Sequence, residues 1–210
     1  MSNIYAPISK YLDGRDIGRY QLLWKRKWLR YGPWLSQPRT PGIFSRPRIL
    51  VREITSPPPY CVNAVFCQDM FLNNKSILNI LQAKDSHESL LFLLGQLNSK
   101  LMSIFYKERG VKSSRALFPK IVIKDLRTFP CLVPDLNNLR KRAVVQSATK
   151  ILELENRIRT ARAPDDKTRL QRQIDATDRQ IDQFVYDLYG LTHEEIKIVE
   201  GATCQDQTLS

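Results

Sequence analysis

Two apolar stripes, separated by a proline, constrain the fold of this chain more than any other feature. Val144, Ser147, Ile151, Leu154, Ile158 and Ala161 advance in alternating steps of three and four residues, and Leu170, Ile174, Thr177, Ile181, Phe184 and Leu188 do the same. That spacing keeps each set on one face of an α-helix. Between them stands Ala163-Pro164-Asp165-Asp166. Proline breaks a helix interior but suits a first turn, and the two aspartates suit a helix N-terminus by capping and by the helix dipole. Gly190 fits the stop of the second helix. The spacing predicts an antiparallel, coiled-coil-like helical hairpin over residues 136–190, its helices about 25 residues and roughly 37 Å long. The stripe pairs the two helices with each other and leaves them able to dock a further protein. The heptads also permit a homodimer through the hairpin.

Upstream of residue 135 the texture differs, with nearly all the prolines and aromatics. Residues 48–54, 60–66 and 120–124 read as short β-runs, and Pro57-Pro58-Pro59 separates the first two. Ser86 to Tyr106 carry Leu90, Leu91, Leu94, Leu97, Leu101, Ile104 and Phe105 at helical spacing, with Gly110 as the end signal. The fold class expected is therefore α+β. Residues 1–135 form a mixed domain, residues 136–190 the hairpin and residues 191–210 an acidic C-terminal tail.

Charge divides along the same lines. The chain holds 33 Lys/Arg against 21 Asp/Glu, a formal net charge of +12. Residues 1–60 contribute +8, residues 61–135 +4 and residues 136–163 +5, whereas residues 164–210 contribute −5. A polyanion would therefore meet everything before Pro164 and avoid the C-terminal portion beyond it. The longest apolar stretch, Leu90 to Leu94, is too short to span a bilayer, and Met1-Ser2-Asn3-Ile4-Tyr5 lacks the apolar core of a signal peptide. These features predict a cytoplasmic protein without membrane contact.

Residues for catalysis are hard to find. Ser56-Pro57-Pro58-Pro59-Tyr60 resembles the Asn/Asp-Pro-Pro-Tyr/Phe loop of amino-methyltransferases, but Pro57 stands where that chemistry needs a side-chain acceptor. No Gly-x-Gly loop is present to receive a nucleotide cofactor. Pro164-Asp165 with Glu195-x-Lys197 spells a metal-dependent nuclease pattern only by chance, since one pair lies in a helix turn and the other beyond a helix end. His87 and His193 have no nucleophile context. Cys61, Cys67, Cys131 and Cys204 form no C-x-x-C pair and read as structural or incidental thiols. Neither a metal nor a cofactor is expected in this chain, and it is not expected to be an enzyme by itself.

Basic residues interleaved with aromatics are the stronger signal. Residues 19–34 alternate between the two classes, and residues 107–127 carry Lys107, Arg109, Lys112, Arg115, Lys120, Lys124 and Arg127. Around them a series of segments stands in order: Gly14-Arg15-Asp16-Ile17-Gly18-Arg19-Tyr20, then Arg46 to Ile54, then Asn73 to Leu81. Leu94-Gly95-Gln96-Leu97-Asn98-Ser99-Lys100-Leu101, Phe118-Pro119-Lys120-Ile121, Ile123 to Arg127 and Phe129-Pro130 complete it. In this order the chain, over about residues 10–200, resembles the TaqI-like C-terminal specificity domain. Such domains occur in adenine-specific DNA methyltransferases and in fused restriction-modification enzymes. The hairpin also resembles, in architecture, the spacer helices of Type I specificity subunits.

The resemblance implies sequence-selective binding of double-stranded DNA. It also implies a separate catalytic domain or subunit that holds S-adenosylmethionine and methylates adenine at N6, since neither a methylase core nor a nuclease core is present here. A recognition module needs cations on phosphates to set its register and a few side chains at base edges to read sequence. The expected phosphate contacts are Arg15, Arg19, Lys75, Lys112, Lys120 and Lys124. The expected base-edge contacts are Arg46, Arg48, Arg115 and Asn74, because arginine pairs with guanine and asparagine with adenine. The alternative is a protein-assembly module that docks through the hairpin and meets DNA only incidentally.

Overall fold

The computed structural model of the protein describes residues 8–82, 86–110, 119–133 and 137–204. The first half is built from short strands: β1 (Ile8–Leu12), β2 (Ile17–Gly18), β3 (Gln21–Leu22) and β4 (Trp28–Arg30). A single helical turn, α1 (Gly42–Ser45), precedes β5 (Arg48–Arg52), β6 (Ala64–Cys67), β7 (Leu72–Asn73) and β8 (Ile77–Leu81). The helices come next: α2 (His87–Leu97), α3 (Lys100–Arg109), α4 (Ile123–Thr128), α5 (Leu139–Thr160), α6 (Pro164–Tyr189) and α7 (His193–Cys204). The class is α+β.

β5 lies at the centre. It pairs antiparallel with β6 on one side and β8 on the other. Its apolar residues alternate between two cores, as a strand's side chains must. Ile49 and Val51 enter a core formed with the helices, and Leu50 enters a smaller one with Leu12, Ile17, Val65, Phe71 and Ile77. That smaller core carries a second sheet of order β4-β1-β7, in which β1 runs antiparallel to β4 and parallel to β7.

Four sequence-based readings shift. The strand expected over residues 60–66 is β6 at Ala64–Cys67, because Cys61 bonds instead to Ser103 Oγ and to Ser56. The strand expected over residues 120–124 is a single bridge between Lys120 and Ile54, with α4 directly after it. Asp125 turns the chain there by accepting the Val122 backbone N–H at 2.8 Å. The single helix expected from Ser86 to Tyr106 is two, α2 and α3. Asn98 leaves the helix to exchange both of its amide hydrogen bonds with the Ala64 backbone, and Ser99 caps the new start through Met102 N–H. Residues 193–204, which composition reads as an acidic tail, form α7, with Val199 buried.

α5 and α6 contain 22 and 26 residues and are joined by three, with Pro164 in the first turn of α6 and Gly190 ending it at φ +67°. Most of each stripe is buried: Val144, Ser147, Ile151 and Leu154 on α5, and Leu170, Ile174, Thr177 and Ile181 on α6. Ile158, Ala161, Phe184 and Leu188 are half-buried, and Ala148 and Val185 join the buried set. They close on more than each other. Residues of β5, β6, α2 and α3 belong to the same core. α2 approaches α5 so closely that a Cβ on Gly95 would lie 2.5 Å from Val144 Cγ1. Among the described residues no helix is long and apolar enough to cross a membrane.

Candidate nucleic-acid interface

The β4-β1-β7 sheet gathers cations at one end. β1 and β7 run parallel, with Leu12 opposite Asn73, so the residues just after each strand emerge together. β4 runs the opposite way, so the residues preceding it emerge at the same end. Three turns therefore meet: residues 13–16, 25–27 and 74–76. Hydrogen bonds lock them. Gly14 N–H donates to Ser76 Oγ at 2.8 Å, and Tyr11 N–H to the Lys27 carbonyl at 2.9 Å. Lys27 Nζ pairs with Asp13, and this contact holds the Asp13 carboxyl below its usual pKa and the Lys27 ammonium above its own. Glycine suits position 14 because a Cβ there would meet Ser76 atoms at 3.1–3.3 Å.

Arg15, Lys25, Arg26 and Lys75 stand exposed on these turns. Arg26 sits in the left-handed region at φ 58°, just before β4, a conformation that residues other than glycine seldom adopt. Among the described residues none of these four forms an ion pair. Asn74 is exposed too, but its side-chain oxygen already accepts from Ser76 N–H and Oγ–H, closing the turn.

The cationic region continues toward α4. Glu53 N–H donates to the Ser76 carbonyl, and Ile121 N–H to the Glu53 carbonyl. Lys120 lies 3.5 Å from Glu53, and Lys124 is exposed on α4. Arg15, Asn74, Lys75, Lys120 and Lys124 thus belong to one neighbourhood. Lys112 and Arg115 lie outside the described residues.

Three expected contacts are placed elsewhere. Arg48 has no exposed surface and cannot reach a base edge from this position. Its guanidinium donates to the carbonyls of Arg46 (3.0 Å), Asp69 (3.2 Å) and Phe71 (2.9 Å) and to Asn79 Oδ1 (3.2 Å), and burial lowers its pKa. It ties β5 to the 69–71 turn. Arg46 is half-buried and donates to the Gln82 carbonyl at 2.8 Å. Arg19, in the two-residue turn between β2 and β3, faces inward. It makes a two-pronged ion pair with Asp178 of α6, donates to the Asn98 carbonyl at 2.8 Å and stacks 3.6 Å above the Tyr60 ring. Burial, the largest single influence, would lower its pKa, but Asp178 together with Tyr20 and Tyr60 more than offsets it, and the guanidinium is held charged. Next to it, Tyr60 Oη donates to Asp182, which also accepts the Lys100 backbone N–H. Burial pushes the Asp182 carboxyl up to about 6 against those bonds. This buried polar junction fixes the helical hairpin against the strands.

Lys25, Arg26 and Arg30 are functional candidates that a residue-by-residue choice misses. From Ile17 to Arg52 the sequence contains nine Lys/Arg and no Asp or Glu. That unbroken run is the signal that marks them. A duplex presents one phosphate charge per about 1.7 Å of axis, so a cluster of cations lacking carboxylate partners is what a phosphate backbone meets favourably. Among the described residues no group of three His, Cys, Asp or Glu side chains is placed to hold a metal ion.

Comparison with known proteins adds two findings. The profile of the TaqI-like C-terminal specificity domain matches residues 9–131. The fold is similar to a solved structure of the Type IIL restriction-modification enzyme MmeI in complex with DNA, with a TM-score of 0.61 and 15% sequence identity. That similarity covers 99% of this chain and 31% of the other, so this chain spans about a third of that protein's length. No curated protein matches in sequence.

Proposed function

This chain belongs to the family of TaqI-like C-terminal specificity domains, and from that membership we propose that it binds double-stranded DNA sequence-selectively as the recognition module of a restriction-modification system. The observation that carries this reading is the end of the β4-β1-β7 sheet, where Arg15, Lys25, Arg26 and Lys75 converge and, among the described residues, form no ion pair. These cations set the register on the phosphates, and Lys120 and Lys124 extend the track. The chemistry lies in another domain or subunit, which binds S-adenosylmethionine and methylates adenine at N6. This chain directs that activity in the cytoplasm and catalyses nothing itself.

Titration of a fluorescein-labelled mixed-sequence duplex, monitored by anisotropy at several salt concentrations, tests the proposal. The logarithm of affinity is expected to fall linearly with log salt, with a slope of about −0.9 per phosphate contact. Binding that is absent at low salt, or that does not change with salt, overturns it. The alternative, a protein-assembly module, finds support in the far end of the hairpin, where residues 162–169 are all exposed. Shortening that end then abolishes association with the methylating partner and leaves DNA affinity intact.

A further inference from the structure

Exposed aromatic rings stand on β4 and just after it, and phosphate binding does not use them. Directly opposite residues of an antiparallel pair project to one face, so Ile8 with Arg30 and Lys10 with Trp28 share a side. Trp28 is 57% exposed. It is nonetheless held in place. Its ring meets the edge of Trp24 at 5.3 Å between centroids, and Trp24 meets the buried Phe71 at 5.7 Å. Trp24 is fixed in turn by its Nε1–H, which donates to the Lys27 carbonyl at 3.0 Å. Lys10 Nζ lies over both Trp24 and Phe71.

A second ring stands four residues after β4. Trp34 is 59% exposed, and its Nε1–H donates to the Arg30 carbonyl at 3.3 Å. It rests on Gly32: a Cβ there would lie 2.2 Å from the ring. The absence of a side chain at that position is what seats the indole.

Exposing two large apolar rings is unfavourable unless something covers them. Their surroundings select the covering partner. Lys10, Lys25, Arg26 and Arg30 are the charges beside them, and the sequence from Ile17 to Arg52 holds no acid. On the 13–16 turn Asp13 is already paired with Lys27, and Asp16 is buried, 3.8 Å from the same ammonium. A partner must therefore be anionic and also present flat aromatic faces. Bases flanked by phosphates meet both requirements.

Resting on the DNA-binding reading above, we infer that Trp28 and Trp34 stack on base faces at a step of the duplex that opens on binding, with Arg30 on the adjoining phosphate. In a closed duplex the base faces are covered by their neighbours, so the contact entails partial unstacking at that step. The preset position of both rings reduces the ordering that binding would otherwise require.

The chain's three tryptophans are Trp24, Trp28 and Trp34. Intrinsic tryptophan emission therefore reports on this element alone. Titration of the full chain with the labelled duplex, reading anisotropy and tryptophan emission together, is the test. Binding is expected to quench the emission and to shield the indoles from acrylamide. Trp28→Ala is expected to weaken binding about tenfold without changing the salt slope, the size of one lost stacking contact. A duplex with one central mismatch, already partly open, is expected to bind the natural chain several-fold more tightly than the paired duplex, and Trp28→Ala to lose that preference. Gly32→Ala, which displaces Trp34 and deletes no aromatic group, supplies a second variant should Trp28→Ala fail to fold. Binding seen by anisotropy with unchanged emission, unchanged acrylamide access and no mismatch preference overturns the inference and leaves DNA binding standing. No anisotropy change at low salt overturns both.

Discussion

Two regions of this molecule use the same residue types to opposite ends, and one short segment feeds both. Within Gly14 to Tyr20, Arg15 stands exposed at the end of the β4-β1-β7 sheet while Arg19, four residues on, is enclosed between Asp178, Asn98 and Tyr60. At the sheet end the fixed features are backbone turns and the Lys27–Asp13 pair, and among the described residues Arg15, Lys25, Arg26 and Lys75 form no ion pair. The junction instead matches its charges with partners drawn from β2–β3, the residue after the proline run, the α2–α3 break and α6. Glu200 of α7 extends the set by accepting from Tyr186 and pairing with Lys100. Burial decides the difference. A guanidinium withdrawn from water must be matched by a carboxylate or carbonyls, and once matched it cannot serve a ligand. The junction therefore builds the molecule, and the sheet end is left to act.

The largest expected effect breaks the junction. Asp178→Ala leaves Arg19 charged and buried without its partner, and is expected to destabilise the fold by about 3–5 kcal/mol in urea melts. Replacing both partners with apolar residues of similar size, as in Arg19→Met with Asp178→Leu, is expected to restore much of that loss. If Arg19→Lys keeps full stability but lowers DNA affinity and the salt slope, Arg19 belongs with the exposed set and the contrast fails.

A smaller effect comes from Asp182. Its pKa in the folded protein, about 6, lies above the ordinary carboxylate value because burial disfavours the charge. The folded state then holds the proton more tightly than the unfolded state, so this group's contribution to stability falls as pH rises from the ordinary carboxylate range through about 6. Relative to Asp182→Asn, which cannot titrate, the natural chain is expected to lose on the order of 2 kcal/mol between about pH 4 and pH 7. A constant difference across that range would place Asp182 in contact with water.

The contrast between the regions also explains what is legible in the sequence. The hairpin can be read because its signal is local: a stripe of fixed period, a proline in the first turn and a glycine at the stop. Sequence reading fails where distant partners decide. Arg19 and Asp178 are 159 positions apart, and nothing near either residue announces the pair. Arg48 reads as an outward strand residue until the 69–71 turn folds over it. The α2–α3 break depends on Asn98 finding the Ala64 backbone 34 residues away, and an apolar stripe that runs straight through the break conceals it. Residues 120–124 carry a β-branched run, yet Asp125 stops it by bonding back to Val122. Cations can be found as types but not as a cluster, because Arg15 and Lys75 meet only through the parallel register of β1 with β7.

The smallest effects on stability, and the sharpest on function, belong to the sheet end. Arg15→Ala and Lys75→Ala remove exposed side chains that make no ion pair among the described residues, so each is expected to leave stability within about 0.5 kcal/mol. Each is expected to reduce the slope of log affinity against log salt by about 0.9, the share of one phosphate contact. Lys120→Ala is expected to reduce it by less. Lys120 lies 3.5 Å from Glu53, so part of its field is already cancelled and it has fewer counterions to release. Measured side by side, the three variants grade the surface by how completely each cation lacks a carboxylate. A slope change for Lys120→Ala as large as that for Lys75→Ala means that Glu53 withdraws from Lys120 when DNA binds. In that case the ion pair seen without DNA is a resting contact, one that the phosphate replaces.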